Sequence, residues 1–451
     1  MAKDGVAAGL PTSIVKVAFA SFIGTAVEWY DFFLYGTAAA LVFNKLFFPN
    51  FDPLVGTLAA FGTYAVGFVA RPVGGVVFGH FGDKVGRKSM LFLTLSIMGV
   101  ATFLIGLLPT YDQIGVFAPL LLLLLRIMQG FGVGGEWGGA VLMAVEHAPA
   151  GRRGFYGSWP QMGVPAGLVL ANLVFTVFSS RPQEEFLAWG WRVPFLLSAV
   201  LIVIGLFIRL QVSEPPAFAR VKATRTESKM PILDAIRNNP KEVLVAMGAR
   251  FAENGIFYVS TVFVLAYATQ QLQIAQSVVL TGVLIAAAVE LFAMPAFGAL
   301  SDTVGRRPIY LLGAGLSLVW SFPFFWLVNT RETALIWLGI LGLAIGHSAM
   351  YGPQASFFSE LFGTRVRYSG ASLGYQLSSV FAGGLSPIIA TALLAQYHSF
   401  VPIALYMIAM ALLTLVSVNW AAETMRHDIG AADHPGGQDV VVDDARYSPA
   451  R

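Results

Sequence analysis

The 451-residue sequence is 56% hydrophobic and 12% charged, with a formal net charge of +3 and no cysteine. Soluble domains carry about 25% charged residues, and so few polar groups do not cover the surface of a water-soluble chain of this size. The missing cysteine excludes disulfides, thiolate metal sites and thiol catalysis, and the small net charge gives no reason to expect a nucleic-acid partner.

Apolar stretches long enough to cross a bilayer core of about 30 Å recur along the chain. They predict twelve transmembrane helices, at about 16–43, 54–81, 87–108, 115–147, 153–178, 191–212, 242–270, 276–300, 306–328, 333–361, 366–395 and 398–422. The runs are continuous rather than alternating with period two, which argues for helices over a barrel. The first run carries Glu28 and Asp31, and no small-residue cleavage site follows it, so it reads as a retained helix and not a signal peptide. The expected organisation is a cytoplasmic N-terminus (1–15), a six-helix bundle (16–212), a polar cytoplasmic loop (213–241), a second six-helix bundle (242–422) and a disordered cytoplasmic tail (423–451). Of the 28 Lys and Arg, 21 fall on the face of the termini, four on the opposite face, and Arg71, Arg126 and Arg250 inside helices. This asymmetry predicts cytoplasmic termini in a bacterial inner membrane.

The two halves repeat. Gly79-His-Phe-Gly-Asp83-Lys-Val-Gly86-Arg87-Lys88 matches Gly298-Ala-Leu-Ser-Asp302-Thr-Val-Gly305-Arg306-Arg307 at a constant offset of 219, each copy between the second and third helices of its half. Glu146 precedes Arg152 and Arg153 at the end of the fourth helix, as Glu360 precedes Arg365 and Arg367 in the second half. The glycines allow close helix approach, and the Asp is suited to accept hydrogen bonds from a neighbouring helix N-terminus. The basic pair is suited to meet Glu146 or Glu360. Together, Gly79, Asp83, Arg87, Lys88, Glu146, Asp302, Arg306, Arg307 and Glu360 make a candidate cytoplasmic gate.

The duplicated loop motif resembles the major facilitator superfamily, over about residues 16–425. Within it, Glu28-Trp29-Tyr30-Asp31-Phe32 and Arg126-Ile-Met-Gln129-Gly130-Phe-Gly132-Val-Gly134-Gly135-Glu136-Trp137-Gly138-Gly139 resemble the metabolite:proton symporter family. That resemblance implies an all-α fold of two pseudo-symmetric six-helix bundles, and proton-coupled import of a small metabolite. Relatives carry shikimate, α-ketoglutarate, citrate, or proline and betaine. Osmolyte members end in a coiled-coil extension, whereas the tail here is short and lacks heptads. An osmolyte symporter is the alternative reading, with a drug–proton antiporter and a non-transporting membrane receptor behind it. The antiporter element of helix five is not matched by Gly163-Val164-Pro165-Ala166-Gly167, and no Walker loop, metal-ligand cluster or nucleophile elbow suggests an enzyme.

Ionisable residues at mid-bilayer cost at least about 2.5–3.5 kcal/mol each, so they are paired or functional. Glu28 and Asp31, three apart on helix one, are candidate proton carriers. An Asp beside an Arg in a dry cavity holds a proton only when the Arg is engaged elsewhere. A substrate carboxylate on Arg126 would therefore couple anion binding to protonation of Asp31, against the alternative of a permanent Asp31–Arg126 salt bridge. Further candidate substrate contacts are Tyr30, Gln129, Gln161, Arg250, Asn254, Tyr258, Tyr375 and Gln376, with His347, Tyr351 and Gln354 on one face of helix ten. Arg250 with Glu253 reads equally as an internal pair. Arg71, Glu136 and Glu290 read mainly as structural or gating pairs. The expected partners are a carboxylate substrate, protons and lipid, with no cofactor or metal, and the expected state is a monomer.

Overall fold

The computed structural model describes residues 14–85, 87–149, 151–210, 236–363 and 367–426, without the side chains of 79–85, 87–91, 208–210 and 368. The described residues form twelve long helical segments. In the first half these are α1 (Ile14–Leu46), α2 (Pro53–Val85), α3 (Arg87–Leu107), α4 (Phe117–His147), α5 (Arg153–Ser179) and α6 (Arg192–Leu210). In the second half they are α7 (Pro240–Gln271), α8 (Gln276–Val304), α9 (Arg306–Asn329), α10 (Thr333–Leu361), α11 (Ser369–Tyr397) and α12 (Val401–Trp420). Among the described residues, ten helices are long and apolar enough to cross a membrane, or eleven if Gln183–Gly190 and Arg192–Phe207, bent by 42°, make one span. The apolar part of α3, Phe92–Leu107, is shorter.

α1 packs on α5, α2 on α4 and α3 on α6, while α9 packs on α10, α8 on α10 and α7 on α12. The halves meet along α5 with α8 and α10, and along α2 with α11. α7 is buried almost all round, whereas α9 and α12 bury one side and expose Val319 and Val416 on the other. An outward surface of such residues suits lipid rather than water.

The sequence also sets how closely helices approach. A Cβ on Gly298 of α8 would lie 2.6 Å from the Gly154 carbonyl of α5, so only glycine permits this inter-bundle crossing. Gly305, at φ 115°, makes the turn from α8 to α9 that other residues adopt only with strain. α1 and α7, the first helices of the two halves, carry π-helical turns at Ala39–Phe43 and Val259–Phe263. The unbroken fourth helix expected from hydropathy is interrupted at residues 134–136. There Gly134 lies against the Arg71 carbonyl, and a side chain at that position would collide with it.

Candidate functional site

The centre of the first bundle is built on α1, α2, α3 and α4. Arg126 is wholly buried, with its Cζ 4.2 Å from the Phe32 ring centre, 4.5 Å from Tyr35 and 4.7 Å from Tyr64. Its Nη1 donates to Gln129 Oε1 (3.2 Å) and its Nε to the Tyr64 carbonyl (3.4 Å), while Nη2 has no hydrogen-bond partner. Gln129 Nε2 donates to Thr102 Oγ1 (2.6 Å), and Thr102 donates to the Met98 carbonyl (3.0 Å). Thr102 also neighbours Asp31. Apart from that neighbour, neither Asp31 oxygen has a hydrogen-bond partner. A permanent Asp31–Arg126 salt bridge, one of the two sequence readings, is not formed. Glu28 is buried one turn before Asp31, and the Tyr30 hydroxyl donates to the Pro194 carbonyl on α6 (2.7 Å).

Arg71 departs from the sequence reading. It makes no ion pair among the described residues. Its Cζ lies 4.2 Å from the Phe32 ring centre, 4.4 Å from Phe68 and 5.4 Å from Trp29, and its Nε and Nη2 lack partners. Phe32 thus touches two guanidinium groups that have no carboxylate partner among the described residues. Cation–π contact offsets only part of the desolvation of a buried charge.

The second bundle is organised differently. Arg250 Nε pairs with Glu253 (3.1 Å), and its guanidinium lies 3.3 Å from the Tyr375 ring centre. His347 Nε2 is 3.4 Å from Glu253, and its Nδ1 is 2.6 Å from Glu290. Gln354 donates to Glu253 (3.0 Å) and to the Tyr310 hydroxyl (2.8 Å), and the Tyr351 and Tyr375 hydroxyls are 3.3 Å apart. Glu290 is therefore the partner of His347. Spacing on one helix reveals neither link, because the groups come from α7, α8 and α10. Asn254 Oδ1 is buried without a partner.

Contacts between the bundles come in matched pairs. Gln161 on α5 donates to the Tyr351 carbonyl on α10 (3.4 Å), and Gln376 on α11 donates to the Gly134 carbonyl on α4 (3.0 Å). Trp137 stacks on Tyr375 at 3.8 Å and donates to Gln161 Oε1 (3.2 Å). Tyr258 brings α7 against Phe32, Tyr64 and Phe68. At the face opposite the termini, Gln270 on α7 donates to Thr57 on α2 (2.9 Å). At the terminal face, Asp302 accepts from the backbone N–H of Gly154 (2.7 Å) and Phe155 (2.9 Å), at the start of α5. Arg306 meets Asp302 (2.7 Å) and both oxygens of Glu360 (3.1 Å each). Arg307 donates to backbone carbonyls of Val418 and Asn419, and Arg367 pairs with Glu146 (3.6 Å) across the bundles. Glu423 caps the start of α9 through the N–H groups of Arg306 and Arg307, a role the sequence reading missed inside its polar tail. The first copy of the motif, with Gly79, Asp83, Arg87 and Lys88, lies outside the described side chains.

Two helical bundles around buried, charged centres, with polar locks at both faces, define a membrane transporter. The family profile of the Major Facilitator Superfamily matches residues 21–387, and the chain belongs to that family. It is 41% identical over 419 residues to the Shikimate transporter of Escherichia coli (strain K12), covering 91% of this chain and 95% of the relative. It is likewise 41% identical over 421 residues to the Inner membrane metabolite transport protein YhjE of the same organism, covering 91% and 94%. The Proline/betaine transporter of that organism is 36% identical over 438 residues, covering 94% of this chain and 86% of the relative. The proton:xylose symporter XylE bound to 6-bromo-6-deoxy-D-glucose superposes with a TM-score of 0.72 over 90% of this chain and 94% of that one. At 16% identity, that match shows the fold alone. The protein is a multi-pass membrane transporter and not an enzyme.

Proposed function

We propose that this transporter is a proton-coupled symporter importing a small organic acid by alternating access, in a bacterial inner membrane with both termini cytoplasmic. The observation that carries this reading is Arg126, buried with no carboxylate partner among the described residues and with Nη2 free. A planar guanidinium suits a carboxylate in two-point geometry. Such a ligand replaces the counter-charge the protein does not supply. Asp31, linked to Arg126 only through Thr102 and Gln129, is the proposed proton carrier. The 41% identity to a shikimate transporter over 95% of its length favours an acid over an osmolyte. An osmolyte symporter stays the second reading, since a proline/betaine transporter is 36% identical over 86% of its length.

The test is uptake into liposomes by the purified protein, across a panel of organic acids and betaines, with and without an imposed pH gradient. Accumulation of an acid only under an inward proton gradient is expected. Accumulation that ignores the gradient overturns proton coupling, and transport of betaines but no acid overturns the substrate class.

A further inference from the structure

The first-bundle site uses neither Glu290 nor His347, yet both are fully buried in the second bundle within one charged chain. The chain runs from Arg250 to Glu253 on α7, to His347 on α10 and to Glu290 on α8. Its charge count is informative. One arginine faces two carboxylates, so the cluster is neutral only when it also holds one proton on the imidazole or a carboxyl. Each nitrogen of one imidazole faces a different acid, Nδ1 at 2.6 Å from Glu290 and Nε2 at 3.4 Å from Glu253. One imidazole thus sits between the two acids, hydrogen-bonded to Glu290 and within ion-pair distance of Glu253. Glu290 gives a proton to Nδ1 while the proton on Nε2 passes to Glu253, so the ring moves a proton between helices without turning. The remaining polar neighbours, Gln354, Tyr310, Tyr351 and Tyr375, add no charge at neutral pH.

We infer that His347, Glu290 and Glu253 form a proton-binding relay in the second bundle, gated by Arg250. When an anion draws Arg250 from Glu253, that carboxylate loses its cation and takes the proton from His347 Nε2, His347 Nδ1 takes one from Glu290, and Glu290 is reprotonated from the medium, so that one proton enters per anion bound. This inference rests on the proton-symport reading and adds a site to it.

The experiment uses the full-length carrier in detergent and in liposomes, with the acid that the uptake panel identifies. Proton uptake on substrate binding is followed with a pH indicator in weak buffer, and substrate exchange is measured without a gradient. In Glu290→Gln, binding-linked proton uptake is expected to fall to about half while exchange persists, and His347→Gln should lower the proton uptake alike. In Asp31→Asn, part of the proton uptake should persist. Undiminished proton uptake in both cluster variants overturns the relay, as does loss of exchange together with proton uptake in both, which marks the cluster as structural. A wild-type carrier that takes up no proton on binding overturns the symport reading itself, and the variants are then not the cause.

Discussion

The two bundles share one fold and an internal sequence repeat, yet their centres handle buried charge in opposite ways. In the second, Arg250 has Glu253, Glu253 has His347, and His347 has Glu290. In the first, Arg71 and Arg126 face aromatic rings, and Asp31 forms no ion pair among the described residues. A self-paired cluster is stable when empty. An unpaired cation in a low-dielectric interior calls for an outside anion. On the proposed function, this asymmetry gives the first contact with the anion to Arg126, and the second bundle stays balanced until Arg250 is drawn from Glu253.

The largest expected effect is at Arg126. Arg126→Ala should abolish substrate binding, and Arg126→Lys, which keeps the charge but loses the planar fork, should weaken it by at least about tenfold, or roughly 1.4 kcal/mol. Titration calorimetry with the acid and its amide, on wild type and Arg126→Lys, closes a cycle. The two losses should not add, because they delete one interaction. Full additivity moves the carboxylate away from Arg126 and makes Arg250 the better candidate. Asp31→Asn should sharply reduce gradient-driven accumulation while exchange continues. Unchanged accumulation removes Asp31 as a coupling group.

A stability contrast breaks or sharpens the comparison next. Glu253→Gln leaves Arg250 buried without its carboxylate, a type of loss that costs about 3–5 kcal/mol, and the melting temperature of the ligand-free carrier should fall. Arg126→Gln removes a charge that lacks a partner, so the same melting temperature should hold or rise. Equal destabilisation by the two would mean that the first bundle is as well compensated as the second.

Much of this was legible in the sequence, for physical reasons that differ by feature. Helix number and the two-bundle plan follow from segment length and the repeat, because bilayer thickness imposes both. The buried ionisable residues were also visible, since hydrocarbon makes each of them conspicuous. Their pairing was not. The Glu290–His347 link joins residues 57 apart on two helices, and periodicity along one helix carries no information about a neighbour. Arg71 was read mainly as part of a structural or gating pair because sequence cannot show that its surroundings are Trp29, Phe32 and Phe68. The interruption of α4 lies in a glycine run whose hydropathy alone gives no sign of a break.

The smallest expected effect is at the terminal face, where Asp302 of the buried Arg306–Glu360 cluster joins the bundles through backbone hydrogen bonds. Asp302 accepts two backbone N–H bonds from α5 and one from Arg306, and Asn at this position loses the charge that strengthens all three. Hydrogen bonds to charged groups contribute about 1.5–3 kcal/mol each at most, and Asn keeps one acceptor oxygen. Asp302→Asn should therefore shift the closed-to-open balance at this face by roughly tenfold without unfolding either bundle. The chain has no cysteine, so a single reporter replacing the buried Ser158 of α5 has no background. Ser158 faces Gly298 at the crossing beside Asp302, and separation of α5 from α8 would expose it. Its maleimide labelling rate should rise in Asp302→Asn and fall back when substrate and a proton gradient are supplied together. An unchanged rate would mean that the Gly154–Gly298 contact and the Arg367–Glu146 pair keep the face shut without it. The motif's Asp would then shape the α8–α9 turn rather than hold the two bundles together.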